Sequence, residues 1–289
     1  FFKKQNMKKK SLSVKKTIHN NFNFKKIIKD KKIFEIYKNF SKCFKYLSCS
    51  NKVAISVSGG PDSMALCFLA SCYNSKKNNN VRFHFYHIDH GLRKNSKVEA
   101  QLLKKQLKQK KINLKILKWT GKKPNSNLQN LARKKRYELL FQECKKSKIK
   151  NIFTAHHQDD FYETFFSRLL RGSGTEGLSS FSSTKKKFIF KGNEFFVVRP
   201  LLNFTKNDLN YITHNIFDFY VKDPSNNNDK FLRIKIRKFL EILNSEGLDF
   251  KKFKLTLKNL NISNDSIEFF VNQNVKKNSN VINNKKSVI

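Results

Sequence analysis

Four short apolar stretches alternate with segments of helical length after residue 51, and this alternation constrains the fold more than any other feature. The stretches are residues 53–57, 81–88, 114–117 and 152–155, and the segments between them are near 62–73, 96–111 and 127–147. Strand–helix–strand order predicts a doubly wound parallel sheet of the α/β class, because parallel strands need crossover connections. Ligands bind such sheets beyond the carboxyl ends of the strands, so functional residues are expected there.

The regions flanking this alternation predict further parts. A helix near 33–40 is expected to pack on the α/β domain, and residues 188–190 and 195–198 suggest a hairpin. Segments 205–217 and 229–243 predict a smaller helical second domain. The expected division is a basic lead and packing helix (1–50), a catalytic α/β domain (51–200), a helical domain (201–265) and a mobile Asn- and Lys-rich tail (266–289).

The charge balance indicates a polyanionic partner. Sixty-one Lys and Arg residues oppose 21 Asp and Glu residues, which gives a formal net charge of +40. Lysines that neutralise phosphates release condensed counterions, so this excess favours nucleic-acid binding. Biased base composition is the alternative explanation, because Lys and Asn are abundant along the whole chain.

Cysteine usage and hydropathy bear on the compartment. The five cysteines form no CxxC pair, which argues against a disulfide framework or a thiolate zinc site. No apolar run approaches the roughly 20 residues that cross a bilayer, so no membrane association is expected. The cytoplasm is the expected location. An organelle is the alternative, because residues 1–29 contain no acid and many Lys and Ser residues. The chain begins with Phe, so its true start stays open.

The turn between the first strand and the first long helix carries the sharpest motif, Ser58-Gly59-Gly60-Pro61-Asp62-Ser63. Two glycines let main-chain N–H groups close around a phosphate, and the dipole of the following helix favours the same anion. A carboxylate at Asp62 repels phosphate unless a cation lies between them, which predicts a magnesium ion at Asp62. A tight turn with Pro61 at the first helical position is the structural alternative.

Two further clusters follow predicted strands. Asp89 and His90 end the second strand, where they could bind nucleotide or transfer a proton, although a plain turn at Gly91 is the alternative. Asp159 and Glu163 follow the fourth strand and share one helix face, which requires a cation such as magnesium or an amine. Zinc is disfavoured, because the segment contains no HExxH and no pattern for a third ligand.

The motif at 58–63 resembles the SGGxDS signature of the PP-loop, or N-type, ATP pyrophosphatases, which have an adenine nucleotide alpha hydrolase-like domain. This resemblance implies that the loop binds ATP with Mg²⁺ while an acceptor oxygen attacks the α-phosphate. A nitrogen or sulfur nucleophile then displaces the adenylate. Residues 89–93 are similar to the DHGLR segment of these enzymes, which implies nucleotide contacts for Asp89 and His90.

The stretch HHQDDFYETFFSRLLRGSGTEGLSSF narrows the resemblance to the tRNA(Ile)-lysidine synthase family. The resemblance implies that Asp160 and Glu163 hold lysine and help to place ATP, and that Arg171 lies near the phosphates. Asp159 is a further candidate for substrate binding, because it shares a helix face with Glu163. Arg133 matches an arginine that contacts the ATP phosphates in the EAxARxxRY helix of the family. The usual Glu-Ala of that helix is Gln-Asn here, at 129–130, so the role of that glutamate does not carry over.

Downstream segments are similar to the RPLL, DxSN and RxxIR segments of the same family. They imply contacts with the RNA substrate by Asp223, Asn226, Arg233 and Arg237. The two arginines lie on one helix face, where solvated side chains are the alternative. In all, the resemblance covers residues 53–240.

The implied activity is ATP-dependent ligation of free L-lysine to the wobble cytidine of an isoleucine tRNA with a CAU anticodon. An adenylated tRNA is the intermediate, and AMP and pyrophosphate are released. The alternatives are a PP-loop tRNA thiolation enzyme and a non-catalytic nucleic-acid binder. The general base, the tRNA identity elements, a further carboxyl-terminal domain and the oligomeric state stay open, with a homodimer as one option.

Overall fold

The computed structural model describes residues 30–46, 52–74, 81–93, 95–121, 128–179, 184–217, 219–221, 232–278, 281–282 and 285–286. Asp223 and Asn226 lie outside these ranges, and so do residues 1–29 of the basic lead. Arg233 lies in a described helix, but its side chain does not belong to the described part.

A six-stranded sheet forms the centre of the fold. Its strand order is β3-β2-β1-β4-β6-β5, with every neighbouring pair parallel except β5 and β6. The strands are β1 (Lys52–Ser56), β2 (Arg82–Asp89), β3 (Leu114–Lys118), β4 (Asn151–Phe153), β5 (Lys185–Phe190) and β6 (Asn193–Val198). The structure confirms the predicted parallel sheet and the predicted hairpin.

Helices connect and cover these strands. They are α1 (Lys31–Lys42), α2 (Pro61–Asn74), α3 (Ser96–Gln109), α4 (Leu128–Lys146), α5 (Gln158–Leu169), α6 (Thr175–Ser179), α7 (Lys206–Ile216), α8 (Leu232–Ser245) and α9 (Phe250–Asn278). A 3₁₀ turn, Cys43–Tyr46, follows α1, and a short hairpin joins β7 (Val281–Ile282) to β8 (Lys285–Lys286). Among the described residues, no helix is both long and apolar enough to span a bilayer.

Two apolar cores sandwich the sheet. One face packs against α1, α2, α3 and α7, and the other face packs mainly against α4. Helix α2 is apolar around most of its circumference because it is buried between the sheet and its neighbours. This burial fixes the start of α2 rigidly at the carboxyl edge of the sheet, where the turn at 58–63 lies.

A third core joins the α/β domain to the helical part. Phe161 and Tyr162 of α5 pack with Ile236 of α8 and with Phe253 and Leu257 of α9. Helix α5 therefore carries the acidic cluster near its first turn and the attachment site of the helical part along its length. Helix α9 continues unbroken past position 266, where the sequence analysis placed the start of the tail.

Candidate active site

The turn after β1 is closed by hydroxyl groups. The Ser63 hydroxyl accepts a hydrogen bond from the Gly59 N–H (3.0 Å) and donates one to the Gly60 carbonyl (2.9 Å). The Ser58 hydroxyl lies 3.1 Å from the Ser63 hydroxyl. The two serines of the motif thus stabilise the loop that carries them.

Gly59 occupies a position that only glycine fits. Its φ is +92°, and an added Cβ would lie 2.9 Å from Cγ2 of Val221 and 3.2 Å from Cδ2 of Leu103. The Gly59 carbonyl also accepts a hydrogen bond from the Val221 N–H at 2.9 Å. Backbone strain and close approach therefore both select glycine here.

Helix α2 begins at this turn and points its amino end to the carboxyl edge of the sheet. Pro61 opens the helix and Asp62 lies in its first turn. The Thr213 hydroxyl of α7 donates a hydrogen bond of 2.7 Å to the Pro61 carbonyl. First-turn N–H groups have no intrahelical acceptor, so this fixed helix start can receive an anion such as phosphate.

Helix α5 begins with a histidine cap. Nδ1 of His157 accepts a hydrogen bond from the Asp159 N–H at 3.3 Å, while the Asp160 carboxylate accepts one from the His157 N–H at 3.0 Å. These reciprocal bonds satisfy donors that the helix start would otherwise leave unpaired. The cap also brings the Asp160 carboxylate back over the amino end of α5.

Two carboxylates from different elements meet at His157. Nε2 of this histidine lies 3.7 Å from Oδ2 of Asp62 and 3.5 Å from Oδ2 of Asp160. Oδ1 of Asp62 is buried and has no hydrogen-bond partner among the described residues. Burial raises the pKa of Asp62, and the nearby Asp160 charge adds to this, while His157 opposes it.

Glu163 is already paired within the protein. Its side chain is 3% exposed and accepts a hydrogen bond from Nε of Arg237 on α8. Burial lowers the pKa of Arg237, but the hydrogen bond and charge of Glu163 outweigh this effect and raise it. The helical spacing of Asp159 and Glu163 predicted that a cation faces this pair. In the structure, the cation beside Glu163 is the guanidinium of Arg237.

The end of β2 lies beside the same turn. The carboxylate of Asp89 accepts a hydrogen bond from the Gly91 N–H at 3.0 Å, and the ring of His90 packs edge-on against Trp119. Nδ1 of His87 lies 2.8 Å from the Val57 carbonyl, which can only accept, so Nδ1 carries the proton. No role was predicted for His87, although its position at a strand end could have indicated one.

Cationic side chains surround His156, which follows β4. Burial lowers the pKa of His156 to about 4, the charge of Asp160 opposes this, and Arg199, Arg133 and Arg136 lower it further. Arg133 therefore lies within electrostatic reach of His156, and its contact with the ATP phosphates stays a prediction. Nδ1 of His156 lies 2.8 Å from the Thr154 hydroxyl.

Arg171 lies just beyond the carboxyl end of α5, 11 residues after Asp160, and it is exposed. Its place near the phosphates stays a prediction.

The arrangement has the properties of a site for a nucleotide with a cation. A glycine turn and a helix amino end can bind phosphate, and two nearby carboxylates can bind a cation. One oxygen of Asp62 has no hydrogen-bond partner among the described residues. Within the described ranges, no group of three or more His, Cys, Asp or Glu side chains could hold a metal by itself. A cation here would need ligands from a bound phosphate or from water, which is the usual mode for Mg²⁺.

Comparison with known families gives one domain match. A family described as the PP-loop domain matches residues 28–243. Curated tRNA(Ile)-lysidine synthases are similar in sequence. That of Orientia tsutsugamushi is 40% identical over 190 residues, covering 66% of this chain and 41% of its own length. The lysidine synthase of Rickettsia felis is 37% identical over 218 residues, which cover 74% of this chain and 47% of the length of that protein.

A third lysidine synthase, from Bradyrhizobium sp. BTAi1, is 34% identical over 200 residues, covering 69% of this chain and 54% of its own. The chain thus spans about half the length of the curated relatives it matches. Among solved structures, the U34-tRNA thiolase NcsA of Methanococcus maripaludis, with its [4Fe-4S] cluster, has a TM-score of 0.65 at 15% identity. That match covers 80% of this chain and 78% of the thiolase, and it indicates a shared fold.

Proposed function

Because this chain belongs to the PP-loop domain family, we propose that it uses ATP to join free lysine to the wobble cytidine of an isoleucine tRNA. The relatives named above carry the name of this activity. The substrates and products are our proposal, since the chain spans only part of those relatives.

One observation carries the proposal. The glycine turn of residues 58–63 and the acids of α5 belong to different strand ends, yet Asp62 and Asp160 both lie within 4 Å of the same His157 nitrogen. The proposed phosphate site and the proposed substrate-binding carboxylate would then be adjacent, as a transfer between ATP and a second substrate requires.

The first step proposed is attack by the cytidine carbonyl oxygen on the α-phosphorus of ATP. A new O–P bond forms and the bond to pyrophosphate breaks, so negative charge accumulates on the leaving group. The N–H groups at the start of α2 and the guanidinium of Arg133 favour that charge. In the second step the ε-amine of lysine forms a C–N bond, the C–O bond to AMP breaks, and the amine loses a proton.

The residues present fit a magnesium ion. Oδ1 of Asp62 is a buried oxygen without a partner among the described residues, and Asp160 supplies a second carboxylate nearby. Mg²⁺ favours one or two carboxylates together with phosphate oxygens and water. The ion would neutralise charge on the polyphosphate. We propose that Asp62 contacts it directly.

Lysine is proposed to bind at the first two turns of α5. Asp159 and Asp160 present carboxylates at the helix start, and Glu163 lies one turn further on. Because Glu163 is paired with Arg237, the substrate ammonium must share this carboxylate with the guanidinium of α8. Lysine binding is therefore expected to depend on the position of α8.

The RNA is proposed to contact the helical part and the lysine-rich surface. The net charge of +40 provides the attraction to phosphates. Asp223, Asn226, Arg233 and Arg237 are the proposed contacts, as the resemblance implies. Arg237 would then contact the RNA and also pair with Glu163 of the proposed lysine site.

The test incubates the protein with ATP, Mg²⁺, labelled lysine and an isoleucine tRNA with a CAU anticodon, followed by mass analysis of the nucleosides. We expect label in the wobble nucleoside together with release of AMP and pyrophosphate. Release of pyrophosphate with a sulfur donor but not with lysine would favour a thiolation enzyme. Binding of RNA without release under any condition would favour a non-catalytic binder.

A further inference from the structure

We propose that His157 is a positioning residue: its ring, held in one tautomer by the cap of α5, fixes the separation between Asp62 of α2 and Asp160 of α5. The proposal rests on the proposed function, because the two acids matter as parts of that site. Nothing in it requires His157 to touch a substrate.

The hydrogen bonds determine the tautomer. The Asp159 N–H can only donate, and it lies 3.3 Å from Nδ1 of His157. The Asp159 carboxylate lies 3.9 Å from Nδ1, beyond hydrogen-bond distance. Nδ1 is then the unprotonated nitrogen, so the proton of a neutral ring is on Nε2. His87 shows the opposite arrangement, because its Nδ1 faces the Val57 carbonyl.

The protonated nitrogen is aimed at both acids. Nε2 lies 3.7 Å from Asp62 and 3.5 Å from Asp160, each slightly longer than a hydrogen bond. The side chain of His157 is 5% exposed, so the ring is held by its packing and does not reorient freely. A movement of a few tenths of an ångström would let Nε2–H donate to either carboxylate.

The two acids depend on this ring to different degrees. Asp160 also accepts a hydrogen bond from the main-chain N–H of His157, so α5 holds it without the ring. Oδ1 of Asp62 has no hydrogen-bond partner among the described residues. Among the contacts described here, the ring of His157 is what connects Asp62 to α5.

The ring of His157 reduces the repulsion between the carboxylates of Asp62 and Asp160. The two half-buried carboxylates repel each other when both are ionised, which would push the start of α2 away from α5 unless a positive group lies between them. The Nε2–H dipole reduces that repulsion while leaving Oδ1 of Asp62 available to a cation. Outer residues that orient a metal-binding carboxylate commonly contribute 10- to 100-fold to metal affinity.

Two substitutions separate this role from simple helix capping. In His157→Asn the side-chain oxygen replaces Nδ1 as a good cap, but the side chain is too short to reach Asp62. In His157→Gln the amide nitrogen reaches the position of Nε2, but the cap is weakened. His84→Asn is the matched control, because His84 lies in the first half of β2, away from the carboxyl edge of the sheet.

The first measurement is the affinity for ATP at a series of Mg²⁺ concentrations, by calorimetry. We expect His157→Asn to keep the thermal stability of the wild type and to need about 10- to 100-fold more Mg²⁺ for the same ATP affinity. In His157→Gln the ATP affinity should depend on Mg²⁺ concentration nearly as it does in the wild type, and His84→Asn should match the wild type. The proposal would be overturned if His157→Asn needed no more Mg²⁺ than the wild type, or if both His157 variants lost ATP affinity equally.

The second measurement needs no ligand. In protein with ¹⁵N-labelled histidine, ring-nitrogen shifts at neutral pH should show His157 protonated at Nε2 and His87 protonated at Nδ1. Signals are assigned by their loss in the single variants. A His157 ring protonated at Nδ1 would overturn the proposal even if His157→Gln failed to fold.

The two proposals fail in distinguishable ways. A wild-type protein that binds ATP with Mg²⁺ but transfers no lysine would refute the proposed activity, and the comparison of His157 variants would still decide the role of the ring. A wild-type protein that binds no ATP at any Mg²⁺ concentration would refute both.

Discussion

The backbone conformation at Gly59 determines the shape of the turn at 58–63. Its φ of +92° and the approach of Val221 both exclude a side chain. The hydrogen bond from the Val221 N–H to the Gly59 carbonyl further ties this turn to the segment after α7. The loop is therefore shaped by a contact from a distant part of the sequence as well as by its own glycines.

Gly59→Ala should destabilise the protein by about 2 kcal/mol and abolish ATP binding, because strain and steric contact act together. Gly121→Ala is the control, since Gly121 has a similar φ of +97° but no atom within 4 Å of an added Cβ. That variant should lose about 1 kcal/mol through strain alone. Urea unfolding and ATP titration measure both effects, and equal losses in the two variants would argue against the steric contact.

Asp62→Asn should separate function from stability. Release of pyrophosphate should fall at least about 100-fold, because the cation loses its carboxylate. Burial raises the pKa of Asp62 in the folded protein above its ordinary value, so the folded protein binds this proton more readily than the unfolded chain does. The stability contributed by protonated Asp62 is then full below the unfolded pKa and is lost as the pH rises through the folded pKa.

The Asn side chain cannot titrate, so the variant keeps this contribution. Its free energy of unfolding should decline less than that of the wild type as the pH rises from acidic to neutral values. Denaturant unfolding of ligand-free protein across this range is the measurement. A variant that is less stable than the wild type at neutral pH would show that ionised Asp62 stabilises the fold.

At the scale of elements, the pair between Glu163 and Arg237 joins α5 to α8. The Glu163 side chain is almost fully buried, so removal of Arg237 would leave a carboxylate without its partner in an apolar core. The helical part is thus attached to the acidic cluster by a charge pair in addition to the aromatic contacts of Phe161 and Tyr162.

Arg237→Ala should lower the free energy of unfolding by about 3 kcal/mol. The double variant with Glu163→Gln should recover part of this loss, because the buried charge is then absent. Lys115→Ala removes the surface partner of Glu143 and should cost less than about 1 kcal/mol. Thermal and urea unfolding give the comparison, and a loss in Arg237→Ala as small as the surface control would contradict the pairing.

The order of strands and helices was predictable at this scale. The apolar runs near 53–57 and 81–88 became β1 and β2, and the segment near 62–73 became α2. Local patterns determine such elements because strand and helix periodicities are properties of neighbouring residues. The pairing of Glu163 with Arg237 was not predictable, because 74 residues separate the two positions.

At the scale of the whole molecule, the charge of +40 makes association with RNA sensitive to salt. If six or more phosphates are contacted, affinity for the tRNA should fall about 10³-fold between 50 and 200 mM salt. Fluorescence anisotropy at several salt concentrations measures this slope. An affinity that does not change with salt would mean that the lysines face solvent only and that base composition explains their number.

The sequence alone determined the fold class, the position of the glycine turn at 58–63 and the strand ends where acidic residues cluster. These features follow from local periodicity and from residue types that a motif requires. Only the tertiary structure decided which acids meet. Asp62 and Asp160 share His157 because parallel strands bring distant loops to one edge of the sheet. The tertiary structure also gave Glu163 an internal partner, Arg237. It placed Arg171 just beyond the carboxyl end of α5, because the length of the helix separates the two ends of this segment.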